Sequence, residues 1–225
     1  MSIRAPGKSK NWRGLAFCLA MILFDPSMIS ARATGSPDPW IVVPKIVLNE
    51  QSSATGVYLK PGLVITAAHL TSNWTGDITV RIAGAALPAT LVKQGEFEDV
   101  DLSLFAVDEQ KLPKNVLRIH TQLCQAPPWP GDPVIVVDQA AATRSHIISP
   151  EIIPFTFRNK FHTLIADVAS TGNSGSGVFD PNKKCVLGIM SRKIMTDGKD
   201  IAKYFVPASE IRNFIPIELR QQATE

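Results

Sequence analysis

The sequence predicts an all-β protein, a barrel or a sandwich, on three observations. Short runs rich in branched residues follow one another from residue 41 to residue 208, turn-forming residues separate them, and no helical pattern alternates with them. A parallel α/β sheet needs crossover helices between its strands, and this chain has none to offer.

The runs can be taken in order. "IVVPKIVL" (41–48), "TGVYLK" (55–60), "LVITAA" (63–68), "DITVRIAG" (77–84), "ATLVKQG" (89–95) and "DLSLFAVD" (101–108) read as six strands. Pro61-Gly62, Asn73, Gly76 and Gly84 supply turns between them. Residues 111–133 hold five prolines and little periodicity, and read as a crossing between two halves. Strands resume at "PVIVVD" (133–138), "RSHIIS" (144–149), "TLIADV" (163–168), "SGVFD" (176–180), "CVLGIM" (185–190) and "YFVPA" (204–208). Only the tail 209–222 is helical in pattern, with Ser209 as its expected N-cap and Pro216 as an expected break.

The first 33 residues stand apart. Arg4, Lys8, Lys10 and Arg13 precede the apolar run Gly14–Phe24, and Ala31 and Ala33 form a small-residue cleavage site. That order is a secretory signal peptide, and 11 apolar residues are too few to span a bilayer. An uncleaved membrane anchor is the alternative. The leader carries five Lys/Arg and one Asp, so residues 34–225 keep 18 basic and 19 acidic side chains, a net −1. The basic balance of the whole chain therefore belongs to the leader. No electrostatic footprint for nucleic acid remains, and no stable membrane association is expected once the leader is removed. After the leader the cysteines are Cys124 and Cys185. In an oxidising compartment they read first as one disulfide, with two free buried thiols as the alternative. No Cys/His spacing suggests a metal.

"STGNSGSGVFD" (170–180) holds Ser174 between Gly172 and Gly175. By itself the stretch is a turn; it becomes chemical only if a base and an orienting acid stand elsewhere. Four histidines follow the leader. His120, His146 and His162 lie in or beside ordinary strand patterns, whereas His69 ends "LVITAAHL", where two small alanines let the imidazole project from a strand end. Asp101 opens the apolar strand "DLSLFAV" and would be carried to the edge of the core. A carboxylate there needs a partner, and an imidazole N–H provides one.

These stretches, Thr66-Ala67-Ala68-His69, Asp101-Leu102-Ser103-Leu104 and Gly172-Asn173-Ser174-Gly175, resemble the base, acid and nucleophile motifs of the trypsin-like serine proteases, in the same order along the chain. "VLGIMS" (186–191) is similar to the family's substrate-flanking strand, and the likeness covers roughly residues 40–215. The resemblance implies two six-stranded antiparallel β-barrels with a short C-terminal helix. Residues 34–115 would form the first barrel with His69 and Asp101; 116–225 would hold the linker, the second barrel with Ser174, and the helix. It also implies a serine endopeptidase acting on polypeptides without a cofactor, with an oxyanion hole from the N–H groups of Gly172 and Ser174 and a substrate pocket involving Val168, Ala169, Ser191 and Lys193.

Departures from the family pattern carry information. Asn173 replaces the Asp that, in digestive members, pairs with a freshly cut N-terminus, so no activating cut is expected. In this the chain is similar to the bacterial Deg-type and glutamyl endopeptidase branches. Val168 stands where an Asp would select Arg or Lys, so an apolar slot is expected, with an acidic preference steered by Lys193 or Lys203 as the competing expectation. Gly177 stands where many relatives have proline and is expected to loosen the strand after the nucleophile. Two other functions remain: a catalytically silent homologue that binds partners, and an exported esterase. The latter would show Gly-x-Ser-x-Gly between strand and helix, which Ser176 breaks, and would place its His after its Ser.

Overall fold

The computed structural model describes residues 39–49, 52–119, 121–158, 160–166, 173–196 and 198–223. The leader 1–33 lies outside them, as do His120, Val168, Ala169 and Gly172. The branched runs pair into two sheets. The first contains β1 (Lys45–Val47), β2 (Ser53–Thr55), β3 (Val57–Leu59), β4 (Leu63–Thr66), β5 (Ile78–Ile82), β6 (Ala85–Gln94) and β7 (Ser103–Val107), in the order β2-β1-β5-β6-β7-β4-β3. Its two ends, β2 and β3, are halves of one strand bent at Gly56, so the sheet curls back on itself into a nearly closed barrel. A side chain at Gly56 would put its Cβ 2.8 Å from the Ile65 carbonyl, which leaves no room for any other residue at the corner.

The second sheet contains β8 (Gln122–Leu123), β9 (Pro133–Val137), β10 (Ala142–Ile148), β11 (Leu164–Ile165), β12 (Gly177–Asp180), β13 (Cys185–Thr196) and β14 (Lys199–Pro207). Its order is β12-β9-β10-β11-β14-β13-β8, and β12 also pairs with β13, which closes a six-stranded antiparallel barrel. β8 lies outside this ring, parallel to the start of β13. Cys124, just after β8, is bonded to Cys185 at the start of β13, with the Cα atoms 5.1 Å apart.

Three strands of the first barrel are buried on both faces. In β3, β4 and β7, Tyr58, Val64 and Phe105 point into the first barrel, whereas Val57, Leu59, Leu63, Ile65 and Leu104 join the cluster that fills the second. Strand alternation thus feeds two cores from one wall, which explains why these runs are continuously apolar. At about 1.5–3 kcal/mol per fully buried side chain, this wall fixes how the barrels face each other.

Among the described residues there are also four short α-helices: α1 (Lys114–Leu117), α2 (Phe155–Arg158), α3 (Ala208–Phe214) and α4 (Ile217–Ala223). Pro216 separates α3 from α4, as expected. The expected cap does not form: Pro207 occupies the N-cap position of α3 without a side-chain hydrogen bond, and Ser209 lies inside the first turn. The β13–β14 hairpin runs farther than the apolar pattern indicates: between residues 191 and 203 the buried Ile194 and Ala202 are interspersed with polar residues, so no continuous apolar run marks the strands, and the hairpin turns at Gly198 with φ +74°.

Candidate active site

His69 and Asp101 come together at the edge of the first barrel. The buried run β4 ends at Thr66, Ala67 and Ala68 are fully buried, and a short 3-10 turn, Ala68–Leu70, swings His69 out of the wall. Bulkier residues before the histidine would not fit that turn against the core. Asp101 lies two residues before β7 with only 1% of its side chain exposed, against 27% for His69. The His69 Nδ1 stands 2.8 Å from Asp101 Oδ2 and 3.1 Å from Oδ1, and the His69 backbone N–H donates to Oδ1 at 3.0 Å. An ionised carboxylate only accepts hydrogen bonds, so it places the proton on Nδ1 and leaves the lone pair on Nε2. Burial pushes the Asp101 carboxyl up, but hydrogen bonds from the His69 ring, the Ser191 hydroxyl and the His69 backbone together outweigh it and hold the group below its ordinary value.

Ser174 belongs to the turn that enters β12. Gly175 makes that turn with φ +84°, and its N–H donates to the Met190 carbonyl at 2.8 Å, while Ser176 N–H closes on Asn173 at 3.1 Å. A Cβ at Gly175 would stand 2.3 Å from the Thr55 carbonyl, so the turn lies directly against the first barrel. The Ser174 hydroxyl donates to the Ser191 carbonyl at 2.9 Å, and the Ser191 hydroxyl donates to Asp101 Oδ2 at 2.5 Å. One residue of the second barrel therefore holds both the acid and the serine.

A bulge makes this possible. On β13, Met190 pairs with Phe205 and Arg192 with Tyr204, so Ser191 is the extra residue. Regular alternation would send the side chains of Ser191 and Arg192 to opposite faces. Here both reach the first barrel: Arg192 donates through Nη2 to the Phe97 carbonyl and lays its guanidinium 3.7 Å from the centre of the Phe97 ring. Phe97 in turn meets the His69 ring edge-on at 5.1 Å. Nothing in the chain near Arg192 marks it as part of the site. For Phe97 the signal was a lone aromatic in the polar loop "GEFEDV" (95–100), 40% exposed.

The trypsin-like peptidase domain family matches residues 54–189, a span that contains His69, Asp101 and Ser174. The chain belongs to the trypsin-like peptidases. No curated protein matches it in sequence. Among solved structures it is similar in fold to the active form of the Rv3671c protease from M. tuberculosis, at 19% identity and a TM-score of 0.59 over 89% of this chain and 88% of that one. Kallikrein-related peptidase 10 gives 19% identity and a TM-score of 0.63 over 82% and 96% of the two chains. The serine endoprotease from Yersinia pestis gives 18% and 0.57 over 86% and 65%.

The other expected site residues of this trypsin-like peptidase divide into two groups. Gly172, Val168 and Ala169 lie outside the described residues. Lys193 is described: its side chain is 57% exposed and its Nζ is 3.0 Å from Asp200, across the β13–β14 hairpin. Gly177 does not loosen its strand. A Cβ there would come within 2.4 Å of the Phe179 ring and 2.6 Å of Val57, so glycine is what lets β12 pack against β3 of the first barrel. A cavity of about 870 Å³ beside Val42, Val116 and Gln139 contains none of the three motif residues.

Proposed function

We propose that this trypsin-like peptidase is an exported serine endopeptidase in which Ser174 is the nucleophile, His69 the base and Asp101 the orienting acid. The observation that carries the reading is the His69–Asp101 pair, its acid buried and its imidazole partly exposed, with the Ser174 hydroxyl bonded to the same residue that holds Asp101. Ser174 Oγ leaves the Ser191 carbonyl by a side-chain rotation and attacks the peptide carbonyl carbon. Its proton passes to His69 Nε2, and the carbonyl π electrons move onto oxygen. The Ser174 and Gly172 N–H groups receive that oxyanion, each donor contributing roughly 3–4 kcal/mol. When the tetrahedral species collapses, the C–N bond breaks and the imidazolium returns the proton to the leaving amine. Water, deprotonated by His69, then attacks the acyl carbon; the bond to Ser174 Oγ breaks and the imidazolium returns its proton to Oγ. Asp101 stabilises the imidazolium in both halves.

Export is supported by the leader pattern of residues 1–33 and by the Cys124–Cys185 bond. The uncharged Asn173, exposed at the turn, supports a Deg-type or glutamyl endopeptidase affinity and an enzyme active without N-terminal trimming. The exposed Lys193, paired with Asp200, supports the apolar slot over an acidic preference, since its charge is turned to water. We place the barrel boundary near residue 115.

The test compares Ser174→Ala with Ser176→Ala for casein hydrolysis and fluorophosphonate labelling. Ser174→Ala should lose several orders of magnitude and all labelling, while Ser176→Ala keeps both. Equal loss in both would assign the loop a structural role. A wild-type protein that does not label would be a silent homologue, and one that turns over short-chain esters but not casein would be an esterase.

A further inference from the structure

The proposed reaction leaves Arg192 without a role, although its side chain is only 14% exposed. A guanidinium is always charged, planar and weakly hydrated, so it is suited to burial between aromatic faces with its donors satisfied. Arg192 meets that description. Its guanidinium carbon lies 3.7 Å from the Phe97 ring centre and 5.3 Å from that of Phe161; Nη2 donates to the Phe97 carbonyl, Nη1 is 3.9 Å from Glu98, and Nε is 3.5 Å from Ser191 Oγ. It therefore spans from the second barrel to the loop that joins β6 to β7 in the first. That loop delivers Phe97 against the His69 ring at one point and Asp101 to its Nδ1 at another.

We propose that Arg192 is a positioning residue that clamps the Phe97 ring against His69, and so holds the imidazole over Asp101 with Nε2 facing Ser174. The proposal rests on the triad reading above. Asp101 restrains one edge of the imidazole, but 27% of the side chain is open to solvent and the ring could swing outward. The Phe97 ring blocks that swing only while it stays in place. Its loop is tied by the Gly95 N–H to the Leu102 carbonyl, the Asp99 N–H to the Glu96 carbonyl, Gln94 Nε2 to the Gly95 carbonyl and the exposed Glu98–Lys160 pair, but none of these bonds reaches the Phe97 ring, on whose face the cation is stacked. The charge-only variant Arg192→Lys loses both the plane that stacks and the fork that reaches the carbonyl.

The experiment uses the full protein as wild type, Arg192→Ala, Arg192→Lys, Phe97→Ala and the Arg192→Ala/Phe97→Ala double variant. Three quantities are read: kcat and KM on a peptide substrate, the labelling rate with diisopropyl fluorophosphate, and the imidazole NMR signal of the His69 Nδ1 proton. Misplacing a reacting group by about 1 Å can cost about 100-fold. Arg192→Ala should lower kcat and the labelling rate together by about 10- to 100-fold, with KM within about threefold of wild type. Arg192→Lys should not rescue, and the double variant should be no worse than Phe97→Ala, because the two act as one unit. The Nδ1 proton should be protected from exchange in the wild type and lost in Arg192→Ala. A raised KM with unchanged labelling would make Arg192 a substrate contact and overturn the proposal, as would a lower melting temperature with unchanged labelling per folded molecule. If the wild type itself fails to label at Ser174, the triad reading falls, and the NMR signal still decides whether Arg192 positions the ring: an unchanged signal in Arg192→Ala overturns it.

Discussion

Ser191, in the second barrel, donates its hydroxyl to the buried carboxylate of Asp101, in the first, at 2.5 Å and across 90 residues of sequence. The acid is therefore completed only when the barrels meet. A hydrogen bond to a charged group contributes about 1.5–3 kcal/mol, so Ser191→Ala should destabilise the protein by about that amount at pH 7. Because the folded Asp101 is held below its ordinary 3.8, its stabilisation is fully present above that value and is lost as the pH falls through the folded value. Denaturant titrations should show a constant gap between wild type and variant from neutral pH down to about 4, narrowing below it. A gap that widens in acid would contradict the assignment.

Asp101→Asn keeps the shape but turns a donor toward His69 Nδ1, which forces the proton onto Nε2. Peptidase activity should fall by about 10⁴-fold, the loss found for the analogous change in a related triad. Thermal melting alongside the assay separates this from unfolding: activity should be lost in protein that still melts cooperatively.

Gly175 and Gly198 both have positive φ, +84° and +74°, but only Gly175 is enclosed. The atoms its Cβ would strike, the Thr55 carbonyl and Thr66 Oγ1, are bonded to each other at 2.6 Å and cannot part cheaply. Gly198→Ala should cost about 1–2 kcal/mol from backbone strain alone. Gly175→Ala should cost about 1–3 kcal/mol more from overpacking, measured as the difference in unfolding free energy. Equal costs would mean that the barrels are not in contact at this turn.

The Cys124–Cys185 bond closes a separation of 61 residues, worth about 4 kcal/mol if it acts by restricting the unfolded chain. Denatured without reductant, the full-length chain should titrate one thiol, Cys18, and three after reduction. Reduction should also lower the melting temperature of the folded protein. Three thiols before reduction would exclude the bond.

How much of this was legible depended on how local each signal is. Branched runs between turn residues marked twelve strands, because strand period and turn chemistry are written within a few residues. The same holds for His69: two alanines at the end of an apolar run are a local instruction, and both are fully buried in the wall that the run forms. β8 escaped notice because two residues carry no period; it exists through parallel pairing to β13 beside the disulfide. The need for glycine at 177 is non-local for a related reason. That glycine answers to Val57, 120 residues earlier, and not to its own strand.

The sequence by itself determined the all-β class, the three motifs that carry the proposed base, acid and nucleophile, and the cysteine pair. Only the tertiary structure decided what surrounds them. A bulge at Ser191 sends two consecutive side chains to one face, where one holds Asp101 and the next covers Phe97. A bulge is set by how the strand fits its neighbours in the closed barrel, and the contacts it makes reach into the other barrel. No window of sequence contains both halves of that fit.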